Sequence, residues 1–135
     1  MKRSVLLYLG VGFGGMIGAS ARYVLSILLE NGSVSFFPWA TLLVNLSGAF
    51  ILTFIGFSPY MKSKLNPVLL TSINTGMIGA FTTFSTIQLE AIQLLDTNTF
   101  MGFFYIGITL LGGLLCSFLG IKAAPFFRKQ KEARL

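Results

Sequence analysis

The chain has 135 residues, of which 54% are hydrophobic and 10% are charged, with a formal net charge of +6. Soluble domains carry about 25% charged residues, so this composition indicates a membrane protein. The chain has no histidine and one cysteine, which excludes a Ser-His-Asp or Cys-His catalytic site, an intrachain disulfide and the common zinc sites. We therefore expect a protein that is not an enzyme and has no catalytic residues.

Four apolar runs are each long enough to cross a bilayer, which takes about 20 helical residues. In chain order they cover Ser4–Leu29, Phe37–Phe57, Pro67–Leu95 and Phe100–Ala123. The connections between them are short, at residues 30–33, 58–66 and 96–99. The sequence thus predicts an all-α membrane protein in which residues 1–135 form one domain of four transmembrane helices.

The charges are distributed unequally between the two sides of these spans. With four spans, the N-terminus, the second loop and the C-terminus share one side. That side holds nine of the ten basic residues, which are Lys2, Arg3, Lys62, Lys64, Lys122, Arg128, Lys129, Lys131 and Arg134. The positive-inside rule therefore places both termini in the cytoplasm of a multi-pass plasma-membrane protein. We expect the basic tail to touch anionic membrane lipid, and we expect no nucleic acid as partner.

The first span contains small residues at regular spacing and one arginine. Gly10, Gly14 and Gly18 recur every four residues, a spacing that lets helix backbones approach closely, so they are predicted to form a packing face. Arg22 lies late in the span, where a charge is costly unless it is paired or reaches the interface. It is either a structural, snorkelling arginine or a source of positive potential that draws an anion into a vestibule.

Polar residues in the second and third spans indicate a pore. Asn45 lies in the middle of the second span, with Thr41 one turn before it, and the third span contains Thr82-Thr83-Phe84-Ser85-Thr86. Lipid offers no hydrogen bonds, so four hydroxyls within five residues must face protein, water or an ion. The amide of Asn45 can donate to an anion that has shed its water. An intramembrane asparagine can also simply hold helices together.

Small residues precede the hydroxyl run, at Gly76, Gly79 and Ala80. A single serine or threonine often bonds to a carbonyl one turn earlier and only bends a helix. Four hydroxyls beside small residues instead favour a third helix that is broken near its middle. Such a break frees carbonyls that can hold a cation and directs helix ends at an ion. The electropositive ring edge of Phe84 can face an anion in a narrow pore.

Four segments of the chain match a known pattern in order. They are GGMIGASARY at residues 14–23, PWATLLVN at 38–45, GMIGAFTTFST at 76–86 followed by Glu90, and Tyr105 and Thr109 with Gly120 beyond. With these motifs the chain resembles the small fluoride channels of the Fluc or CrcB family. The resemblance spans nearly the whole chain, and the third motif is specific.

The resemblance implies an antiparallel dimer with two pores, fluoride as the permeant ion and a structural sodium ion at the dimer centre. The sodium would be held by the main-chain carbonyls of Gly79 and Thr82. The pore lining would comprise Thr41, Asn45, Phe84, Ser85, Thr86, Tyr105 and Thr109. Arg22 would lie near a vestibule and Glu90 at the pore mouth.

Two positions depart from the family pattern. Ile87 stands where a second phenylalanine is usual, and Gly113 stands where a serine is common. Both departures remove a group that can contact the ion. The charge bias also fixes one insertion direction, so an antiparallel dimer would need a homologous partner chain of opposite orientation, with a homodimer as the other arrangement.

The function expected from the sequence is passive export of fluoride, which lowers its cytoplasmic concentration. One alternative is a small proton-coupled drug transporter, which needs a carboxylate deep in a span. Within the first three spans the chain offers only Glu90, toward the outer end. The other alternative is a pore-deficient accessory subunit of a membrane heterodimer, to which Ile87 and Gly113 point.

Overall fold

The structure, a computed structural model, describes residues 2–30 and 36–132. Within these ranges it contains helices and no strand, which confirms the all-α prediction. Helix α1 covers Lys2–Glu30, α2 covers Trp39–Phe57 and α3 covers Pro59–Lys64. Helix α4, Pro67–Thr71, continues through a π-helical segment, Ser72–Ile78, into α5, Gly79–Phe81. Helix α6 is Ser85–Thr97 and α7 is Thr99–Glu132.

Three stretches of helix in the described ranges are long and apolar enough to cross a membrane. They are Arg3–Leu29, Trp39–Phe57 and Thr99–Pro125, with mean hydropathies of 1.5, 1.9 and 2.0. The predicted third span is not one helix, because helical geometry ends at Phe81 and resumes at Ser85. Neither piece reaches the roughly 20 residues that a crossing helix needs. The predicted first loop, at residues 30–33, lies outside the described residues apart from its first position.

Local sequence explains where the short helices begin. Ser58 accepts a hydrogen bond from a first-turn N–H of α3, and Pro59 occupies the first turn. In the same way, the side chain of Asn66 accepts from the N–H of Val68 at 2.9 Å, with Pro67 in the first turn of α4. Such caps satisfy N–H groups that have no partner within the helix, and proline there costs no hydrogen bond.

The glycines of α1 form the contact with the π-helical segment. Gly14 and Gly18 are both buried. A β-carbon added at Gly18 would collide with the carbonyl group of Met77, and one at Gly14 would press on the carbonyl oxygen of Ser72. The predicted packing face is therefore confirmed, and the two backbones meet where side chains are absent.

Gly18→Ala is expected to destabilise the fold by about 1–3 kcal/mol, because the methyl group forces the two backbones apart. Gly12→Ala on the same helix is the matched control, since a β-carbon there meets nothing within 4 Å. Because alanine is the better helix former, the control should be neutral or slightly stabilising. Denaturant unfolding in detergent, followed by circular dichroism, measures both. Equal stability of the two variants would contradict this packing.

A second packing centre lies between α2, α6 and α7. Its buried side chains are Phe37, Leu42, Ala91, Leu94 and Tyr105. The ring of Tyr105 is fully buried and meets that of Phe37 edge-on, with centroids 5.5 Å apart. In contrast, the outer faces of α1 and α7 expose large apolar side chains, as surfaces in contact with lipid do. The core therefore fixes the phenol of Tyr105 inside the bundle.

Candidate functional site

The interruption between α5 and α6 is held open by Asn45 of α2. The side-chain oxygen of Asn45 accepts a hydrogen bond from the N–H of Thr83 at 2.9 Å. Its amide nitrogen donates to the carbonyl oxygen of Thr41 at 2.9 Å. In a continuous helix, the Thr83 N–H would instead bond to the carbonyl of Gly79, four residues earlier. Asn45 thus diverts one bond of the helical ladder to itself and stabilises the break.

The break also leaves main-chain carbonyls outside the helical ladder. Thr82 has extended geometry, with φ −77° and ψ 158°. Its hydroxyl donates to the carbonyl oxygens of Ile78 and Gly79, each at 3.3 Å. The Gly79 carbonyl therefore keeps only a long hydroxyl contact in place of the N–H bond that a regular helix would give it. Gly79 itself is exposed on the surface of the single chain.

Hydroxyl groups converge at the start of α6. The hydroxyl oxygen of Thr83 lies 2.9 Å from that of Thr86 and 3.4 Å from that of Ser85. It also accepts a hydrogen bond from the N–H of Thr86 at 3.3 Å, which satisfies one donor of the first helical turn. Each hydroxyl has one hydrogen that can rotate toward a partner. The cluster can therefore turn a donor toward an anion.

Glu90 links three helices one turn beyond these hydroxyls. One of its carboxylate oxygens accepts from the hydroxyl of Thr41 at 2.7 Å. The other accepts from the phenol of Tyr105 at 2.6 Å. These short bonds tie α6 to α2 and to α7, and Tyr105 is held by the core described above. The carboxylate of Glu90 is therefore fixed in position.

A cavity of about 270 Å³ adjoins several of these groups, but Asn45, Ser85 and Tyr105 are not among its lining residues. It lies between α1, α2 and α6, and its polar lining is contributed by Arg22, Ser26, Thr41, Thr83, Thr86 and Glu90. The arrangement gathers one cationic side chain, one carboxylate and several hydroxyls from three helices. It can accommodate water or a small ion.

Other residues that the sequence singled out lie apart from this cavity. The ring of Phe84 is 70% exposed, and Ser85 is also exposed. The hydroxyl oxygen of Thr109 is buried and has no hydrogen-bond partner among the described residues. Ile87 packs against the core beside Tyr105. A β-carbon at Gly113 would meet nothing within 4 Å. The pore roles of these residues remain predictions.

The predicted sodium site can be compared with the groups that the chain offers. Main-chain carbonyl oxygens suit a hard cation, and the break leaves those of Gly79 and Thr82 outside regular helix. No group of three acidic, histidine or cysteine side chains that could bind a metal occurs in residues 2–30 and 36–132. One chain thus offers two main-chain oxygens whose chemistry fits sodium.

Two residues with unassigned roles stand out in the structure, one at this site and one in the π-helical segment. Thr83 organises the hydroxyl cluster, and its position three residues before Thr86 is the spacing at which a hydroxyl can cap a helix. Asn74 lies in the π-helical segment, and its side-chain oxygen is buried without a partner in the described part of the chain. No sequence pattern marks Asn74, because a buried acceptor without a partner depends on packing in three dimensions.

Comparison with known proteins identifies the family. A family profile described as "CrcB-like protein, Camphor Resistance (CrcB)" matches residues 9–121. The chain belongs to the CrcB family. The CrcB relatives include a protein of Geobacillus kaustophilus named "Fluoride-specific ion channel FluC 2", 39% identical over 126 residues, which are 93% of this chain and 98% of that protein. Another, "Fluoride-specific ion channel FluC 1" of Desulfitobacterium hafniense, is 43% identical over 84% of this chain and 99% of its own length.

Proposed function

We propose that this chain forms a fluoride-selective channel that exports fluoride passively and lowers its cytoplasmic concentration. The observation that carries this proposal is the convergence of Thr83, Thr86 and Arg22 on one cavity beside the helix break. The names of the two relatives supply the ion, since both are called fluoride-specific ion channels. An ion channel is not an enzyme, in accord with the expectation from composition.

The chemistry of the site suits a small, strongly hydrated anion. Fluoride gives up water only where close donors replace it, and hydroxyl and amide groups at the break provide such donors. Arg22 adds positive potential at the cavity, which raises the local concentration of anions. We assign Thr41, Asn45, Phe84, Ser85, Thr86, Tyr105 and Thr109 to the pore lining, Arg22 to the vestibule and Glu90 to the pore mouth.

Export of fluoride does not require coupling to the movement of a second ion. Hydrogen fluoride enters cells as a neutral weak acid and dissociates inside, which traps the anion. A membrane potential that is negative inside drives anions outward with about 2.3 kcal/mol per charge for each 100 mV. A passive pore is therefore sufficient for export.

We further propose that two antiparallel chains assemble around a structural sodium ion. Gly79 is exposed at the surface of the chain, where a partner chain of opposite orientation can approach. Carbonyls of Gly79 and Thr82 from both chains would then supply four oxygens. The ion would hold the two broken helices together without itself being transported.

The proposed topology has four spans in the plasma membrane, with both termini in the cytoplasm. The third span would consist of α4 to α5 followed by α6, joined through the break. Along α1, Arg3 lines the same pocket as Asn66, and Arg22 lines the polar cavity together with Glu90. These two arginines are about 30 Å apart along the helix, which matches the hydrocarbon core. The second loop and the N-terminus thus share one end of the bundle.

One observation favours a second candidate, proton-coupled transport. Glu90 is a carboxylate that lines an internal cavity, as a proton-coupling residue would. However, both of its oxygens accept hydrogen bonds from residues of the same chain. It is therefore occupied as a structural acceptor, which favours the channel.

Fluoride efflux from liposomes under separate driving forces distinguishes the two candidates. A channel is expected to release fluoride when a potassium gradient with valinomycin sets the voltage and the pH is equal on both sides. A coupled transporter is expected to respond to a pH gradient at zero voltage. Efflux that requires the pH gradient would overturn the channel proposal. Liposomes without protein are the control for leakage of hydrogen fluoride.

A further inference from the structure

An apolar groove runs along the outside of the bundle between α1 and the helix that contains the π-helical segment. Its volume is about 1200 Å³. One wall consists of Leu6, Leu9, Phe13 and Ile17, and the other consists of Leu69, Ile73 and Met77. The floor is formed by the small residues Gly10, Gly14 and Ser72. The groove is therefore an indentation bounded by two ridges of large apolar side chains.

The floor and the walls differ in exposure. Gly14 and Ser72 are buried by the contact between the two helices. Leu9 and Phe13 on one wall are 67% and 63% exposed. The exposed apolar walls and the closed floor leave a groove that an apolar molecule can fill. The groove is distinct from the polar cavity, and the two share no lining residue.

The groove ends at a basic residue. Arg3 and Asn66 line it together at one end, and Lys64 and Lys62 precede Asn66 in the chain. From Arg3 to Ile17, the α1 wall is about 21 Å long at 1.5 Å per residue. One leaflet contributes about half of the 30 Å hydrocarbon core, and the headgroup layer lies outside it. The length and the position of the charge thus match one leaflet.

We propose that this groove binds one anionic phospholipid, with an acyl chain along its apolar walls and the headgroup phosphate at Arg3. The guanidinium group pairs with phosphate in a forked geometry, and the amide of Asn66 can add a hydrogen bond. Charge complementarity favours this occupant, because Arg3 lines the groove and no acidic residue does. The lipid would cover the seam where α1 packs on the π-helical segment.

The test is native mass spectrometry of the full chain, released from nanodiscs that contain equal amounts of phosphatidylglycerol and phosphatidylcholine with identical acyl chains. The chain is expected to retain phosphatidylglycerol in preference. Arg3→Gln should lower that preference about fivefold, the effect of one cationic side chain at an anionic surface. Lys122→Gln is the matched control, because it removes one charge from α7, away from the groove. Its side chain lies over the ring of Phe118, 4.6 Å from the centroid.

Three results would overturn the proposal. The first is equal retention of the two lipids by the unmodified chain. The second is an Arg3→Gln variant that keeps the full preference. The third is occupation by a second copy of the chain, seen as a disulfide between Leu9→Cys of one copy and Ile73→Cys of another in a Cys116→Ala background. Lipid retention is measured without any ion flux, so failure of the fluoride proposal would leave this test unaffected.

Discussion

Asn45→Asp is expected to lower fluoride efflux by about a thousandfold while the protein remains folded. A fixed negative charge about 4 Å from a permeating anion costs about 4 kcal/mol at an effective dielectric constant of 20. Each 1.36 kcal/mol added to a barrier slows passage about tenfold. The aspartate retains an oxygen that can accept from the N–H of Thr83, so the break is expected to survive. Its second oxygen, however, would face the carbonyl oxygen of Thr41, where the native amide donates.

The matched control for Asn45→Asp is Asn98→Asp. Asn98 is exposed and its side-chain oxygen accepts from the N–H of Met101 at 3.2 Å. Aspartate caps a helix as well as asparagine does, so this variant should conduct normally. Efflux is measured with a fluoride electrode on liposomes, and size-exclusion chromatography reports folding. Normal efflux through a folded Asn45→Asp protein would remove Asn45 from the ion path.

This chain alone is expected to confer little fluoride resistance on cells that lack their own exporter, and an oppositely oriented partner is expected to restore it. Nine of the ten basic residues lie on the side assigned to the cytoplasm, and inversion would move all of them outside. Ile87 adds a second reason. A two-fold axis would place Ile87 in both pores of a homodimer and lower conduction through each without abolishing it, whereas a partner with phenylalanine at this position would restore the ring in one pore.

The partner in this experiment is an inverted copy of the same chain. It carries Lys2→Gln, Arg3→Gln, Lys62→Gln, Lys64→Gln, Lys122→Gln, Asn31→Lys and Thr97→Lys, and it ends at Pro125. We expect resistance from the pair, and more from a pair whose inverted copy also carries Ile87→Phe. Ile87→Phe in the native chain alone should help less, because orientation still limits assembly. Full resistance from the native chain alone, with its termini mapped equally to both sides, would overturn the heterodimer proposal.

The sequence predicted the features of the fold that follow from hydrophobic length and small-residue spacing. Three helices of membrane-spanning length lie where the apolar runs are. The stripe of Gly10, Gly14 and Gly18 packs as its four-residue period indicates. The helix is interrupted between Phe81 and Ser85, at the hydroxyl-rich segment where the break was predicted. In each case the signal is local in the sequence: the length of an apolar run, the spacing of small residues or a cluster of hydroxyl groups.

The sequence did not predict how the break is satisfied, because the partners are distant along the chain. Thr83 bonds to Asn45, 38 residues away, and Thr41 bonds to Glu90, 49 residues away. The π-helical geometry of Ser72–Ile78 was also not predicted, since it arises where the chain packs against α1. Pore lining by Phe84 and Thr109 remains a prediction, because the single chain leaves the first exposed and the second without a partner.

Selective conduction of fluoride is tested by comparing the efflux of fluoride and chloride from the same liposomes. The purified chain is reconstituted from detergent, which allows both orientations, and efflux of each anion is measured at equal voltage and equal pH. Donors spaced for a small anion should conduct fluoride and leave chloride at the leak rate of protein-free liposomes. Comparable efflux of chloride and fluoride would show that the chain does not form a fluoride-selective channel.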